Sequence, residues 1–270
     1  MIEMTDKEFH EISDYIKAHY GVNLEKKRAL IEGRLGFYIS TKGFNSYNDY
    51  FQYALAEPSK QELANMINRL TTNHTFFMRE EDHFVFYKES VLPWIENEIK
   101  TKDLRVWSAG CSTGQEPYTI AMTNLDYIED RSSGWDPTVL ATDISNQALT
   151  TAKTGIYTKS DIIEIPKSWI TKYFEKLDGI HYRITKQLRT TAAFRNINLL
   201  DNFNFNKPFH SIFCRNVMIY FDSPTKTELI KKFHRIMEPG GYLFLGHSES
   251  LSTLDHDFEY VRPSIYRKAE

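Results

Sequence analysis

The residues with the clearest chemical meaning lie in Val106-Trp107-Ser108-Ala109-Gly110-Cys111-Ser112-Thr113-Gly114-Gln115-Glu116-Pro117-Tyr118. They read as a strand, a tight loop of small residues and the start of a helix, which brings backbone close to a ligand at the carboxyl end of a strand. Gly110 and Gly114 allow φ values and approach distances that a Cβ would block. Further on, Val139-Leu140-Ala141-Thr142-Asp143 reads as a second short apolar strand ending in an acid. From that position a carboxylate grips ribose hydroxyls. Together they describe a site for an adenosine-containing cofactor. The loop alone serves NAD, FAD, nucleotides and S-adenosylmethionine alike. Two details narrow it. The spacing is Gly-Cys-Ser-Thr-Gly rather than G-x-G-x-x-G, and Glu116 sets a carboxylate in the first helical turn. A pyrophosphate there would be repelled, whereas a cofactor without phosphates would not. Glu116 also has a plainer use, stabilising the helix dipole.

Three further clusters point to the same edge. Thr71-Thr72-Asn73-His74-Thr75-Phe76-Phe77-Met78-Arg79-Glu80 joins a polar run to two aromatics and an arginine. A capping turn with a packed Phe pair would account for it, but it falls at a seam between two halves of the chain, where ligand clefts form. Ser211-Ile212-Phe213-Cys214 reads as a buried strand running into Arg215-Asn216, with Tyr220 beyond. Asn216 suits an adenine or amino-acid group, and Tyr220 faces either the reacting centre or the core. Asn198-Leu199-Leu200-Asp201 ends another strand.

These residues need a scaffold, and the patterning supplies one. Residues 1–70 read as a helical bundle. Phe9, Ile12, Ile16 and Tyr20 recur at helical spacing up to Gly21. A second helix spans Leu24–Ile39 with Leu30, Ile31, Leu35 and Tyr38 inward. A third begins at Ser46, and a fourth runs from Pro58-Ser59 to Leu70. Residues 71–90 read as a linker carrying the polar–aromatic motif. From 91 to 270 short apolar strands (Leu104–Ser108, Thr138–Thr142, Ala193–Ile197, Ser211–Cys214, Tyr242–Gly246) alternate with helices (Pro117–Glu129, Asn146–Thr154), the pattern of a doubly wound α/β sheet. Residues 157–192 interrupt it. A helical piece ends near Phe174, and His181–Ile184 and Gln187–Thr190 alternate like strands, which predicts a small antiparallel insertion.

Bulk properties exclude several classes. The 270 residues are 41% hydrophobic and 26% charged, a globular balance, with a net charge of -3 that argues against a dedicated nucleic-acid binder. No apolar run reaches the roughly 18 residues of a membrane span. The opening Met1–Asp6 lacks the regions of a secretion signal, which predicts a cytoplasmic protein. Cys111 and Cys214, both at predicted strand ends, read as reduced, packed thiols rather than a disulfide, and no metal site is expected.

The ordered set Thr72-Asn73-His74-Thr75-Phe76-Phe77-Met78-Arg79, Ser112-Thr113-Gly114-Gln115-Glu116-Pro117-Tyr118, Ala141-Thr142-Asp143-Ile144, Asn198-Leu199-Leu200, Cys214-Arg215-Asn216-Val217-Met218-Ile219-Tyr220-Phe221 and Gly240-Gly241-Tyr242-Leu243 resembles the CheR family of chemotaxis protein-glutamate O-methyltransferases. The resemblance covers essentially the whole chain. His74 inside the Asn-x-Thr motif and Gln115, where an acid is common, depart from it. The resemblance implies a Rossmann-like methyltransferase domain with a β-subdomain behind an all-α domain. It implies methyl transfer from S-adenosylmethionine to receptor glutamates, with S-adenosylhomocysteine as product. Cofactor contacts are implied for Asn73, Thr75, Arg79, Gly110, Glu116, Asp143, Asn198, Leu199, Arg215 and Asn216, with Arg79 and Tyr220 nearest the transferred methyl. The implied partner is the cytoplasmic domain of a chemoreceptor, docked on a basic helix face of Lys26, Lys27, Arg28 and Arg34. The short loop near Leu177-Asp178-Gly179-Ile180, where tether-binding members carry a longer glycine-rich one, predicts independence from a C-terminal receptor pentapeptide. From the residues alone, a methyltransferase for small molecules or nucleic acid and a cofactor-binding protein without activity stay open.

Overall fold

The computed structural model describes residues 2–71, 73–99, 101–131 and 133–269; Thr72 of the polar–aromatic motif lies outside them. The helical half begins with α1 (Asp6–Tyr20), started by a reciprocal capping box between Thr5 and Glu8 and stopped by Gly21 at φ 75°. The second helix, α2 (Arg28–Thr41), starts later than its apolar spacing suggested. The Lys27 N–H bonds the Leu24 carbonyl, so residues 24–27 form a turn. α3 (Tyr47–Ala56) is capped by the Ser46 hydroxyl, and α4 (Gln61–Leu70) follows a left-handed Lys60. Ile12, Ile31, Leu35, Ile39, Tyr50 and Met66 fill their common core.

The second half of the stretch expected to link the halves, residues 81–90, is helical. α5 (Glu81–Phe86) passes through one π turn at Tyr87–Val91 into α6 (Leu92–Glu98). Phe84, Tyr87, Val91, Leu92 and Ile95 are buried in the core of the sheet half. There follow β1 (Val106–Ala109), α7 (Gln115–Ile128), β2 (Val139–Asp143), α8 (Asn146–Thr154), β3 (Ile156–Thr158), α9 (Lys167–Tyr173), β4 (Phe174–Lys176), β5 (His181–Ile184), α10 (Lys186–Thr191), β6 (Ala192–Asn196), β7 (Phe209–Cys214), α11 (Ser223–Ile236), β8 (Met237–Leu245), β9 (Phe258–Arg262) and β10 (Ile265–Lys268). The main sheet has the order β6-β2-β1-β7-β8-β10-β9. Its β6-β2-β1-β7-β8 pairings are parallel, and β10 is antiparallel to both β8 and β9. Strand order reverses between β1 and β7, the switch point where such sheets open a crevice.

A second sheet, β3-β5-β4, is antiparallel, as the interruption of the α/β rhythm suggested. Its membership differs from expectation. Residues 187–190 are helical in α10, because Thr185 accepts from the Leu188 N–H and only Leu188 and Thr191 turn inward. Four residues are too few to separate a helical from a strand period. The free cysteines, Cys111 and Cys214, are buried. No helix among the described residues is long and apolar enough to cross a membrane.

Candidate active site

A cleft opens between the tips of β1, β2, β6 and β7 and the helical half, which contributes Tyr20, Val22, Leu24, Lys27 and Leu30. Every residue singled out for cofactor or methyl borders it: Asn73, Thr75, Arg79, Gly110, Glu116, Asp143, Asn198, Leu199, Arg215, Asn216 and Tyr220.

The β1 loop is shaped by backbone and by one acid. The N–H groups of Gly110 and Cys111 both donate to the Thr142 carbonyl at 2.8 Å. Gly110 sits at φ 90°, and a Cβ there would lie 2.4 Å from the Val217 side chain. Its missing side chain therefore lets two cleft loops touch. Asp143 accepts the Ser112 N–H at 2.7 Å on one oxygen and the Ser145 N–H at 2.8 Å on the other. Burial pushes its carboxyl up, with the N–H groups working against the rise. A carboxylate oxygen has a second lone pair, so acceptor capacity toward the cleft remains.

Arg215, its side chain 2% exposed, occupies the floor of the cleft. It lies 3.0 Å from Glu80 Oε2 and 3.1 Å from Glu116 Oε2, and it also donates to the Arg79 carbonyl. It is thus a counter-ion bridging two acids. Glu116 also accepts the Ser108 hydroxyl at 2.7 Å. Burial raises its carboxyl despite the arginine. For Glu80 burial acts the same way, but Arg215 and the Asn216 amide outweigh it and the carboxyl is lowered.

Arg79 is different. It donates to the His74 carbonyl at 3.1 Å, sits 5.7 Å from the Phe76 ring centre, and has no carboxylate partner among the described residues. Its neighbours Met78 and Glu80 are left-handed at φ 60° and 56°. Such backbone costs on the order of 1–3 kcal/mol per residue and persists where the surroundings impose it. The segment is anchored to the glycine loop through the Ser112 hydroxyl on the Asn73 carbonyl, 2.9 Å.

Asn198 donates to the His19 carbonyl at 2.7 Å, and the Asn23 N–H reaches the Tyr220 carbonyl at 2.8 Å, so both cleft residues are tied to the helical half. Lys27 lies 5.4 Å over the Tyr220 ring. The four basic residues do not share one face. Lys26 and Lys27 are exposed in the turn before α2. Arg28 is held by Asp6 (2.6 Å), Glu32 (3.4 Å) and the Met4 carbonyl, and Arg34 donates to the carbonyls of Arg69, Leu70 and Thr71 at the end of α4. Sequence reasoning assigned no role to Glu80, Ser108 and Glu249, which support the cleft from behind; Glu80 and Ser108 lay inside the quoted motifs, and Glu249 carried no signal.

The wall suits a cationic, hydroxyl-bearing ligand. Glu116 and Asp143 border the cleft, Arg215 beside them is already neutralised by Glu80 and Glu116, and a phosphate at the start of α7 would meet Glu116. With the parallel sheet and its switch point, these features define an S-adenosylmethionine-dependent methyltransferase. Residues 73–266 match the family described as CheR methyltransferase, SAM binding domain, and residues 7–71 match CheR methyltransferase, all-alpha domain. The chain belongs to the CheR methyltransferase family, whose members methylate in chemotaxis. It is 38% identical to the chemotaxis protein methyltransferase of Borreliella burgdorferi over 99% of this chain and 96% of that one. For the Escherichia coli protein of the same name the figures are 33%, 98% and 92%.

Proposed function

We propose that the enzyme esterifies glutamate side chains on the cytoplasmic domain of chemoreceptors. The observation that carries this is the polarity of the cleft: acids on its wall, and two cations without carboxylate partners among the described residues, Arg79 and Lys27, bordering it, with Lys27 over the Tyr220 ring. Such a cavity holds a positive donor and an anionic acceptor together. Bound S-adenosylmethionine supplies an electrophilic methyl on sulfur. A glutamate with a pKa near 4.3 is already ionised at neutral pH, so the acceptor needs no general base. The work left to the protein is alignment. In this reading Asp143 takes the ribose hydroxyls, and Asn73, Thr75, Gly110, Glu116, Asn198, Leu199 and Asn216 hold the rest of the cofactor. Arg215 acts through the two acids it bridges, and Arg79 and Tyr220 flank the acceptor. Lys26 and Lys27 meet the acidic receptor helix. Incubation with labelled S-adenosylmethionine and receptor-containing membranes should yield base-labile methyl esters on the receptor; label on a small molecule or nucleic acid alone would refute the assignment.

The β3-β5-β4 sheet works without a receptor tether in this reading. The β4–β5 connection is tightened by Asp178, which accepts the Ile180 and His181 N–H groups at 2.7 Å, leaving little loop to clasp a peptide. Titration with a receptor C-terminal pentapeptide should show no saturable binding; saturation would overturn this point. Buried, unpaired Cys111 and Cys214 fit work in the reducing cytoplasm, and recovery of the activity in a periplasmic extract would contradict that.

A further inference from the structure

We propose that Glu249 is a positioning residue of the methyl-transfer site, a buried carboxylate that shapes the loop between β7 and α11 by collecting backbone N–H groups; the proposal rests on the assignment of the cleft to S-adenosylmethionine. That loop brings Arg215, Asn216 and Tyr220 to the cleft. It has no strand partner, so its N–H groups need other acceptors. Glu249 Oε2 accepts from Asn216 at 2.7 Å and from Gly246 at 2.6 Å, and Oε1 accepts from Ile219 at 3.1 Å. Glu249 is 8% exposed and does not border the cleft, so it acts on a ligand only through what it holds.

The restraint falls on one cleft residue. Asn216 is left-handed at φ 58°, a conformation that a residue other than glycine keeps when its surroundings enforce it. Its side chain is set by another carboxylate: Nδ2 donates to Glu80 Oε1 at 3.2 Å. Oδ1 can accept from a donor in the cleft, and Nδ2 keeps a second N–H. Gly246 completes the arrangement, because a Cβ there would lie 2.8 Å from the Asn216 backbone nitrogen and side chain. The end of β8 and the loop approach only because position 246 has no side chain. Three donors on one side chain require a carboxylate; an amide at 249 would turn an NH2 toward at least one buried N–H.

Calorimetric titration with S-adenosylhomocysteine tests this. The unaltered protein should bind; absence of binding would overturn the cofactor reading and this proposal with it. Glu249→Gln should weaken binding roughly tenfold, the scale set by leaving a backbone N–H without its acceptor. KM for S-adenosylmethionine should rise in parallel. Ile95→Ala, a lesion in the core beneath α6, serves as the stability control and should melt earlier with unchanged affinity. Gly246→Ala, uncharged and at the same contact, should reproduce the loss even where Glu249→Gln folds poorly. Unchanged affinity in either folded variant would reduce Glu249 to a structural residue and overturn the proposal.

Discussion

Two arginines border one cleft and do opposite things. Arg215 is spent on Glu80 and Glu116, and removing it would leave two largely covered acids without their counter-ion. Loss of one partner from a buried pair typically costs about 3–5 kcal/mol, so its removal should register first as instability. Arg79 is half-buried and pairs only with a carbonyl, so its guanidinium is available to orient an acceptor carboxylate. Arg79→Ala should therefore lower turnover at saturating cofactor by roughly a hundredfold, the scale of a misplaced reacting group, with little change in melting temperature. Unchanged turnover would sink the orienting role. Both arginines stood out in the sequence because each follows a recognisable motif. Their division of labour did not, since it depends on Glu80 and Glu116 reaching Arg215 from distant parts of the chain. Glu249 was invisible for a related reason: it serves N–H groups of a loop far upstream and lies in no periodic pattern.

Elements were legible where an apolar period ran long enough or a cap marked the end. α1 between Thr5 and Gly21, and α8 between Ser145 and Gly155, follow their sequence signals closely. The parallel strands were legible because each holds a short, mostly apolar run between turns. The failures have physical causes. Residues 81–98 follow a polar–aromatic motif that drew attention to chemistry, yet their buried positions Phe84, Tyr87, Val91 and Leu92 cover the sheet. Phe84, Tyr87, Val91 and Ile95 keep helical spacing even across the π turn at Tyr87–Val91. In α10 the capping hydroxyl of Thr185 decided the conformation against an alternating pattern only four residues long. The edge strand β9 carries exposed Tyr260 and Val261, and β10 beside it is only four residues long, so neither shows the apolar continuity that revealed β1 and β7.

At the scale of the whole molecule, the site is made by joining two halves, and the stability of that assembly should respond to pH through groups buried near the join. His83, fully buried between Glu80, His247 and Phe244, connects α5 to the end of β8. Burial first, and Arg215 second, lower its pKa from 6.5 to about 4, against the opposing pull of Asp82 and Glu80. In the window between those values the unfolded chain holds a proton that the folded chain does not. Stability therefore rises with pH there: His83's contribution is complete above about 6.5 and is lost as the pH falls toward 4. The largely covered Glu116 and the buried Asp143 and Glu249, all raised by desolvation, act in the opposite sense, because the folded protein keeps their protons to higher pH. The His83 share is thus isolated only as a difference. Denaturant unfolding of the protein and of His83→Asn at pH 7 and at pH 4.5 should show the unaltered protein losing about 2–3 kcal/mol more than the variant over that interval. Equal losses would mean that His83 titrates in the fold as it does in water, and that the join tolerates its charge.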